Sequence, residues 1–227
     1  MTTINTILAN TESLAINDHK FIGQVMSRNQ RIATSEILSV QPFAFDMKPM
    51  NYLLYSQNRT LLSTLREADR QNEQYLNFGV TGWLNYIKYQ GEMTSGQISS
   101  CQYQITSADK TIVLGSLPAI SSGSYIVKIG DFLQIDRYAY IATEDVLRGA
   151  GLTVNIPVHR TIMTTLVSPM DAVIGQYGIT QALGGDTYIG ITFPVILQGY
   201  PNYTLIPMTN DSFIQWSGSF KAIEAVL

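Results

Sequence analysis

The chain has 227 residues, of which 45% are hydrophobic and 14% charged, and its formal net charge is −3 at pH 7. This length is enough to bury a core without staples, and a weak negative charge without any run of basic residues disfavours counterion-driven binding to nucleic acid. A single cysteine, Cys101, excludes an internal disulfide and a cysteine-ligated zinc site. No apolar stretch approaches the roughly 18 residues that a membrane helix needs, so we expect a soluble protein or a subunit of a soluble assembly.

In chain order, the first ten residues are rich in Thr and Asn, and we expect an arm there that becomes ordered only on assembly. They lack the basic start and apolar stretch of a secretory signal. Residues 31–48 place apolar residues among polar ones, with alternation interrupted at Pro42, which is typical of a strand.

A helical period follows, in which four residues share one face: Leu61, Leu62, Leu65 and Ala68. Asn58 precedes them and suits an N-cap. We predict one helix at about residues 58–72 that packs its apolar face on a sheet; a partner-binding face is the alternative.

Beyond Phe78 the pattern is one of short strands separated by turn residues such as Gly130-Asp131 and Asp136-Arg137. Strands are predicted at residues 83–89, 102–106, 111–114, 125–129, 132–135, 138–142, 152–156, 188–197, 203–207 and 213–225. This spacing is typical of an antiparallel barrel or sandwich. We therefore expect a mainly β (α+β) fold, in which residues 1–79 and 161–227 form a barrel that carries the helix and residues 80–160 form an inserted small β subdomain.

Candidate catalytic and metal-binding residues are few. His19 and His159 lack carboxylates at metal-ligand spacing, and Cys101 is interpreted as a small buried residue because only those two histidines can act as its base. Asp131 and Asp136 flank a strand, but both occupy turn positions where Asp is common. The sequence predicts no catalytic, cofactor-binding or metal site, and no enzyme.

Two segments of the sequence carry a recognisable order of elements. The first runs from Gly130-Asp131 and the strand 132–135 through the aromatic strand 138–142 to the Gly-rich turn 149–151 and Pro157. This order resembles that of tail-tube and baseplate proteins of tailed bacteriophages, in which a Gly-Asp turn and strand are similarly followed by an aromatic strand, a Gly-rich turn and a strand that ends in Pro. Here the Gly-rich turn departs from the pattern because residues 145–148 interrupt it.

The second segment lies near the carboxyl end and looks like the closing strands of the same phage proteins. It comprises Tyr200-Pro201-Asn202-Tyr203-Thr204-Leu205-Ile206-Pro207, then Ile214-Gln215-Trp216-Ser217-Gly218-Ser219-Phe220, and Glu224. A weaker likeness to these proteins is the order of three elements near the beginning of the chain: a strand, then Met47-Lys48-Pro49-Met50, then a helix. All of these elements are packing or turn motifs, so what they imply concerns architecture and assembly.

The resemblance implies a tail-tube-like barrel and a virion structural protein that forms a ring, six- or three-fold, of the tail tube or baseplate. Its expected partners are identical chains and other tail and baseplate proteins, with DNA only passing non-specifically through a lumen. The expected location is the virion tail, assembled in the host cytoplasm. No cofactor and no membrane contact is expected.

Residues 28–47 are longer than the usual strand, and we expect them to form an intersubunit arm that extends the sheet of a neighbouring copy. Its expected contact residues are Arg31, Ile37, Val40 and Phe43. The alternative is two ordinary strands joined by a bend at Thr34-Ser35 inside one barrel.

Two other functions stay open. A carbohydrate-binding or adhesin module is favoured by the 13 tyrosines, since aromatic faces stack on pyranose rings, although strand tyrosines are also expected as packing residues. An undetected hydrolase has the least support, because no acid, base and pocket can be read from the spacing.

Overall fold

The computed structural model describes residues 3–18, 22–26, 32–36, 42–67, 72–80, 85–104, 110–163 and 169–226. The protein is mainly β, with 46% strand and 14% helix, and its principal sheet is antiparallel and curled into a half-barrel. This confirms the expected fold class at the level of a mainly β, antiparallel protein with a minor helical part.

The helices in these ranges are α1 (Thr3–Ala9), α2 (Tyr55–Glu67) and α3 (Ser95–Ser99), together with a 3-10 turn at Phe78–Val80. The strands of the first half are β1 (Thr11–Asn17), β2 (Ile22–Met26), β3 (Ile32–Glu36), β4 (Ala44–Pro49), β5 (Leu53–Leu54), β6 (Gln74–Asn77), β7 (Gln102–Gln104) and β8 (Thr111–Gly115). Those of the second half are β9 (Tyr125–Val127), β10 (Phe132–Ile135), β11 (Tyr138–Ile141), β12 (Val146–Leu147), β13 (Val154–Pro157), β14 (Met170–Asp171), β15 (Val173–Ile174), β16 (Tyr177–Gly178), β17 (Gln181–Leu183), β18 (Asp186–Tyr188), β19 (Thr192–Gly199), β20 (Tyr203–Met208), β21 (Asp211–Trp216) and β22 (Phe220–Glu224).

The principal sheet brings together strands from both ends of the chain, in the order β1-β4-β22-β19-β6. All four of its pairings are antiparallel. Strands β20, β21 and β5 form a three-stranded sheet, while β11-β10-β15-β16 and β13-β8-β7-β14 form two four-stranded sheets. Three two-stranded sheets complete the described sheets: β12-β9, β17-β18 and β2-β3.

A first cluster of buried side chains lies beneath the principal sheet. Its centre is aromatic: the ring of Phe193 lies 5.1 Å from Phe43, 5.0 Å from Phe45 and 5.6 Å from Phe78, each in an edge-to-face arrangement. Such pairs add to the free energy gained from area burial alone. The helices α1 and α2 cover the cluster with their apolar faces.

A second cluster fills the space between the two four-stranded sheets. Tyr103 and Tyr140 are its largest fully buried side chains. Tyr103 satisfies its hydroxyl by donating to the Val173 carbonyl (2.7 Å). Ile87 and Phe132, from the middle of the chain, pack in the first cluster together with residues from both ends. The predicted division of the chain into domains at residues 79/80 and 160/161 stays a prediction.

Helix α2 confirms the predicted helix but begins earlier. It starts at Tyr55, so Asn58 lies inside the first turns and is not the N-cap; its Nδ2 donates to the Leu54 carbonyl (2.9 Å). The cap comes from a distant strand, because Asp211 accepts the Ser56 N–H (3.2 Å) and the Ser56 hydroxyl proton (2.6 Å). Leu61 and Leu62 are buried as predicted, while Ala68 lies outside the described residues.

The expectation of an amino-terminal arm is wrong for residues 3–10. These residues form helix α1 within the monomer, and Ile4, Ile7 and Leu8 are at most 1% exposed. The spacing of these three residues puts them on one helical face, which the first cluster covers.

Several predicted strands need correction. Residues 85–89 are not a strand, and the strands predicted at 188–197 and 213–225 are each interrupted. The first interruption includes Gly190, whose φ is +75° and whose absent Cβ would meet Gln176 Cα at 2.9 Å. Only glycine combines that backbone conformation with so close an approach. Helix α3, with its capping box of Thr94 and Gln97, was not predicted.

Candidate functional site

One edge of the principal sheet is closed within the chain. The amide of Asn5 occupies the outer edge of β6: its Nδ2 donates to the Tyr75 carbonyl (3.0 Å), and the Asn77 N–H donates to its Oδ1 (2.9 Å). The side-chain amide thus makes the two hydrogen bonds that a neighbouring strand would make, and Asn5 is only 3% exposed. An edge covered in this way is protected against the addition of another strand.

The opposite edge is β1, which among the described residues pairs with β4 alone. Its side chains alternate, with Leu14 and Ile16 packed against the first cluster and Ser13, Ala15 and Asn17 exposed. Natural edge strands often carry Lys or Pro to discourage pairing with other chains. Strand β1 contains neither residue, although its pairing with β4 shifts register between Thr11 and Ser13, around the exposed Glu12. The regular part of this edge, residues 14–17, is therefore suited to pairing with another strand.

A groove of about 400 Å³ lies between α2 and the closing strands of the chain. One wall is aliphatic, formed by Leu62 and Leu65 of α2; the other is a row of aromatic side chains, Tyr203, Trp216, Phe220 and Tyr200. Trp216 lies 5.4 Å from Tyr203 and 5.1 Å from Phe220, at interplanar angles of 63° and 64°. At the groove, Arg66 Nη2 donates to the Tyr203 hydroxyl (2.9 Å).

This geometry bears on the carbohydrate alternative. Stacking on a pyranose requires an open aromatic face, whereas Trp216 is 8% and Phe220 1% exposed. Their rings are packed edge to face against one another, so these two do not offer an open face to a sugar ring. Tyr200 and Tyr203 of the same groove are half-buried. The Trp216 Nε1 is buried and has no hydrogen-bond partner among the described residues.

A buried ion pair lies where the two clusters meet. Arg160 donates to both carboxylate oxygens of Glu224 at 2.6 Å, and the guanidinium lies 5.0 Å from the Phe43 ring centroid and 5.3 Å from that of Tyr140. The side chains are 2% and 0% exposed. Because no solvent reaches it, this site can hold the two clusters together but cannot bind a ligand without opening.

The structure describes only one of the four predicted contact residues. The ring of Phe43 is 0% exposed and packs on Phe193 of the same chain, so its role here is in the core. Arg31, Ile37 and Val40 lie outside the described residues, and their contact with a neighbouring copy stays a prediction.

The continuous strand expected at residues 28–47 is wrong where the structure describes it. Ile32–Glu36 pairs with Ile22–Met26, whereas Ala44–Pro49 lies inside the principal sheet between β1 and β22. The alternative is correct in having two separate strands, β3 and β4. Its bend at Thr34-Ser35 is wrong, because both residues lie within β3 and pair with Gln24 and Gly23.

The remaining candidate residues have structural roles. Cys101 is fully buried, and burial raises the pKa of its thiol to about 11, which keeps it protonated at neutral pH. His159 Nδ1 accepts the Ile141 N–H (3.0 Å), and His19 lies outside the described residues. Asp136 has a φ of +55° in the two-residue turn between β10 and β11, as its turn assignment predicted.

Asp131 also has a turn role, but it is more buried than its position suggested. It is 1% exposed and accepts the backbone N–H groups of Gln90 and Lys128, each at 2.8 Å. Burial raises the pKa of this carboxyl, and those hydrogen bonds oppose the shift. Its position fixes the segment around Gln90 against the start of β10.

Sequence reasoning missed Asn5, Arg160 and Glu224. A signal existed for Glu224, a single acid among the apolar residues Ala222, Ile223 and Ala225, since a charge inside an apolar strand needs a buried partner. Nothing local marks Asn5, because its role depends on a strand 70 residues away.

The described part of the chain contains neither a cluster of metal ligands nor a membrane-spanning helix. No group of three or more His, Cys, Asp or Glu side chains there is arranged to hold a metal ion. Of the helices in those ranges, none has the length and apolar character needed to cross a membrane.

The geometry therefore defines a mainly β protein with an aromatic groove, a buried ionic junction and one sheet edge, β1, that no described strand covers. Comparison with models of known protein families gives no match. A search of curated proteins likewise gives no significant match.

Proposed function

We propose that this chain is a virion structural protein of a phage tail, which self-assembles into a ring of the tail tube or baseplate. The observation that carries the proposal is the asymmetry of the principal sheet: Asn5 closes it at β6, while β1 is suited to further pairing. Such a sheet can gain a further strand at the β1 edge but not at the β6 edge, which suits head-to-tail addition of identical subunits.

Head-to-tail addition requires that β1 of one copy meet a different surface of the next copy. The hairpin β2-β3 is the candidate, because it belongs to no larger sheet among the described residues and adjoins the predicted contacts Arg31, Ile37 and Val40. A contact between two different patches generates a closed ring when the rotation that relates neighbouring copies is an integer fraction of a full turn. The ring proposed is six- or three-fold.

The low charge content supports the same role. With charged residues at 14% of the chain, against about 25% in typical globular domains, extensive contact with other proteins desolvates few ionic groups. The proposed neighbours above and below the ring are other tail and baseplate proteins. DNA passes through the lumen without sequence-specific contact, and the proposed location is the virion tail, assembled in the host cytoplasm.

The test is the oligomeric state of the purified chain, measured by native mass spectrometry and by electron microscopy of isolated particles. Closed rings are expected. The variant Ala15→Lys, which places a long cation on β1, is expected to abolish them while leaving a folded β monomer. Its matched control is Gln198→Lys, an exposed position on the interior strand β19 of the same sheet.

Rings that form equally well with Ala15→Lys would overturn the role of β1. A chain that stays monomeric at every concentration, and is missing from any larger particle, would overturn the proposed function itself. The double variant Ile37→Asp with Val40→Asp tests the predicted contact residues in the same assay.

A further inference from the structure

The loop at residues 149–152 is held by hydrogen bonds and carries a highly exposed apolar side chain. Leu152 is 69% exposed, yet the backbone around it is held: its carbonyl accepts the Leu117 N–H (3.2 Å), and the buried guanidinium of Arg148 donates to the carbonyls of Gly149 (2.7 Å) and Gly151. An apolar side chain held in place before binding loses little conformational entropy when it is buried.

Two further exposed apolar side chains lie on segments that adjoin this loop. Ile129 (62% exposed) is held close to Asp145, because its N–H donates to Asp145 Oδ1 (2.8 Å), and Leu147 (49% exposed) follows Asp145 by two residues and directly precedes Arg148. These three are among the five most exposed large apolar side chains described. With the exposed acids Glu144 and Asp145, they form what we call the acidic knob.

The groove beside α2 has the complementary character. Its walls are apolar, Arg66 is its one charged lining residue, and no carboxylate is among the residues that line it. A surface that joins apolar side chains to carboxylates therefore matches this groove in both hydrophobicity and charge.

We infer that the acidic knob of one copy seats in the α2 groove of the next copy. This inference rests on the proposed function, and it names a second contact between neighbours besides the β1 edge. The knob and the groove are different patches of one chain, so each copy can offer its knob to one neighbour and its groove to the other, as a ring requires. The apolar side chains fill the groove, and Glu144 faces Arg66.

Cross-linking tests the placement directly. A double variant, Leu65→Cys in the groove and Leu147→Cys in the knob, is treated with a short bismaleimide and run on a denaturing gel. A ladder of covalent oligomers is expected, while the native Cys101 is fully buried and contributes little. The matched control is a double variant that combines Leu65→Cys with Ile189→Cys. Ile189 is apolar, 56% exposed and outside the knob, so this variant should give no ladder.

A charge swap separates docking from a structural role of Arg66. Each of Arg66→Glu and Glu144→Arg is expected to weaken association by about 10-fold or more, and the double variant to recover most of the loss. If Arg66 served only to bind Tyr203 in its own chain, Glu144→Arg would not rescue it. Arg59→Glu, on the same helix but outside the groove lining, is the control and should have little effect.

The outcomes distinguish this inference from the proposed function. Rings that form without a ladder and without charge rescue would overturn the knob-and-groove contact and leave the ring proposal standing. Cross-linking of the groove to a different tail protein, or binding of a saccharide there, would also overturn it. A chain that never self-associates would overturn both.

Discussion

Arg160 and Glu224 are 64 residues apart in the sequence and form a two-point ion pair at the junction of the two buried clusters. Further hydrogen bonds surround the pair: Glu224 Oε2 accepts the Phe43 N–H (3.1 Å), and Arg160 Nη2 donates to the Ala139 carbonyl (2.7 Å). The pair thus ties the last strand of the principal sheet to β11, which contributes Ala139 to the first cluster and Tyr138 and Tyr140 to the second. Its effect on stability depends on whether one or both charges are removed.

Removing one charge is expected to be costly. Glu224→Gln or Arg160→Met leaves a buried partner uncompensated and should lower the free energy of unfolding by about 3–5 kcal/mol. The double variant Arg160→Met with Glu224→Gln should lose much less than the sum of the single changes, since no charge remains buried. Urea unfolding followed by fluorescence measures all three.

The exposed pair Glu12–Lys48, at 3.5 Å with side chains about half exposed, is the control for that series. Glu12→Gln should change the free energy of unfolding by at most about 1 kcal/mol. A Glu224→Gln variant no less stable than Glu12→Gln would contradict the importance of the buried junction.

Asn5→Leu should expose the closed edge of β6. The substitution leaves the Tyr75 carbonyl and the Asn77 N–H without partners, at a cost of about 1–3 kcal/mol for each group that stays buried. Light scattering should then detect irregular aggregates, because a second sheet edge can pair between chains. The control Asn10→Ala removes one hydrogen bond to the Thr6 carbonyl of α1 and should cause neither the loss of stability nor the aggregation. Regular rings formed by Asn5→Leu would contradict the role of the closed edge.

Two glycine substitutions should have opposite signs. Gly175 has a φ of +58°, and a Cβ there would lie 2.7 Å from the Ile87 carbonyl oxygen, so Gly175→Ala should destabilise by more than about 1 kcal/mol. Gly96 lies in α3 with no atom near its absent Cβ, so Gly96→Ala should stabilise by up to about 1 kcal/mol. Thermal unfolding of the two variants measures the contrast, and equal melting temperatures would contradict it.

Stability should fall at alkaline pH. Burial raises the pKa of Tyr75 and of Tyr140 to about 12 and also raises that of Tyr103, whereas unfolded tyrosines ionise near about 10. The folded state then binds more protons than the unfolded state, so the stabilisation is complete below about pH 9 and is lost as pH rises through the folded-state pKa values. Unfolding free energies measured across this range test the sign.

Tyr103→Phe isolates one contribution to this pH dependence. It removes the buried hydroxyl and its bond to Val173 and should make the alkaline decline shallower. A free energy of unfolding that stays constant between about pH 9 and 12 would contradict the assignment. For the buried tyrosines, the absorbance of the ionised phenolate should increase over the same pH range in which the protein unfolds.

The sequence by itself determined the local elements. Strands β8, β10 and β11 lie within a residue of their predicted positions, and the turn at Asp136-Arg137 joins β10 to β11 as expected. Alternation and turn residues act over a few positions, so they can be recognised without knowing the rest of the fold. The apolar face of α2 was readable for the same reason.

The tertiary structure decided where elements begin and what they contact. Asp211 caps α2 from 155 residues away, so the helix starts at Tyr55 instead of after Asn58. Helix α1 is ordered because a core covers its apolar face, and Asn5, Arg160 and Glu224 gain their roles from partners 64 to 72 residues distant in the sequence. Buried polar groups require partners in space, and local sequence carries no information about which distant group that partner is.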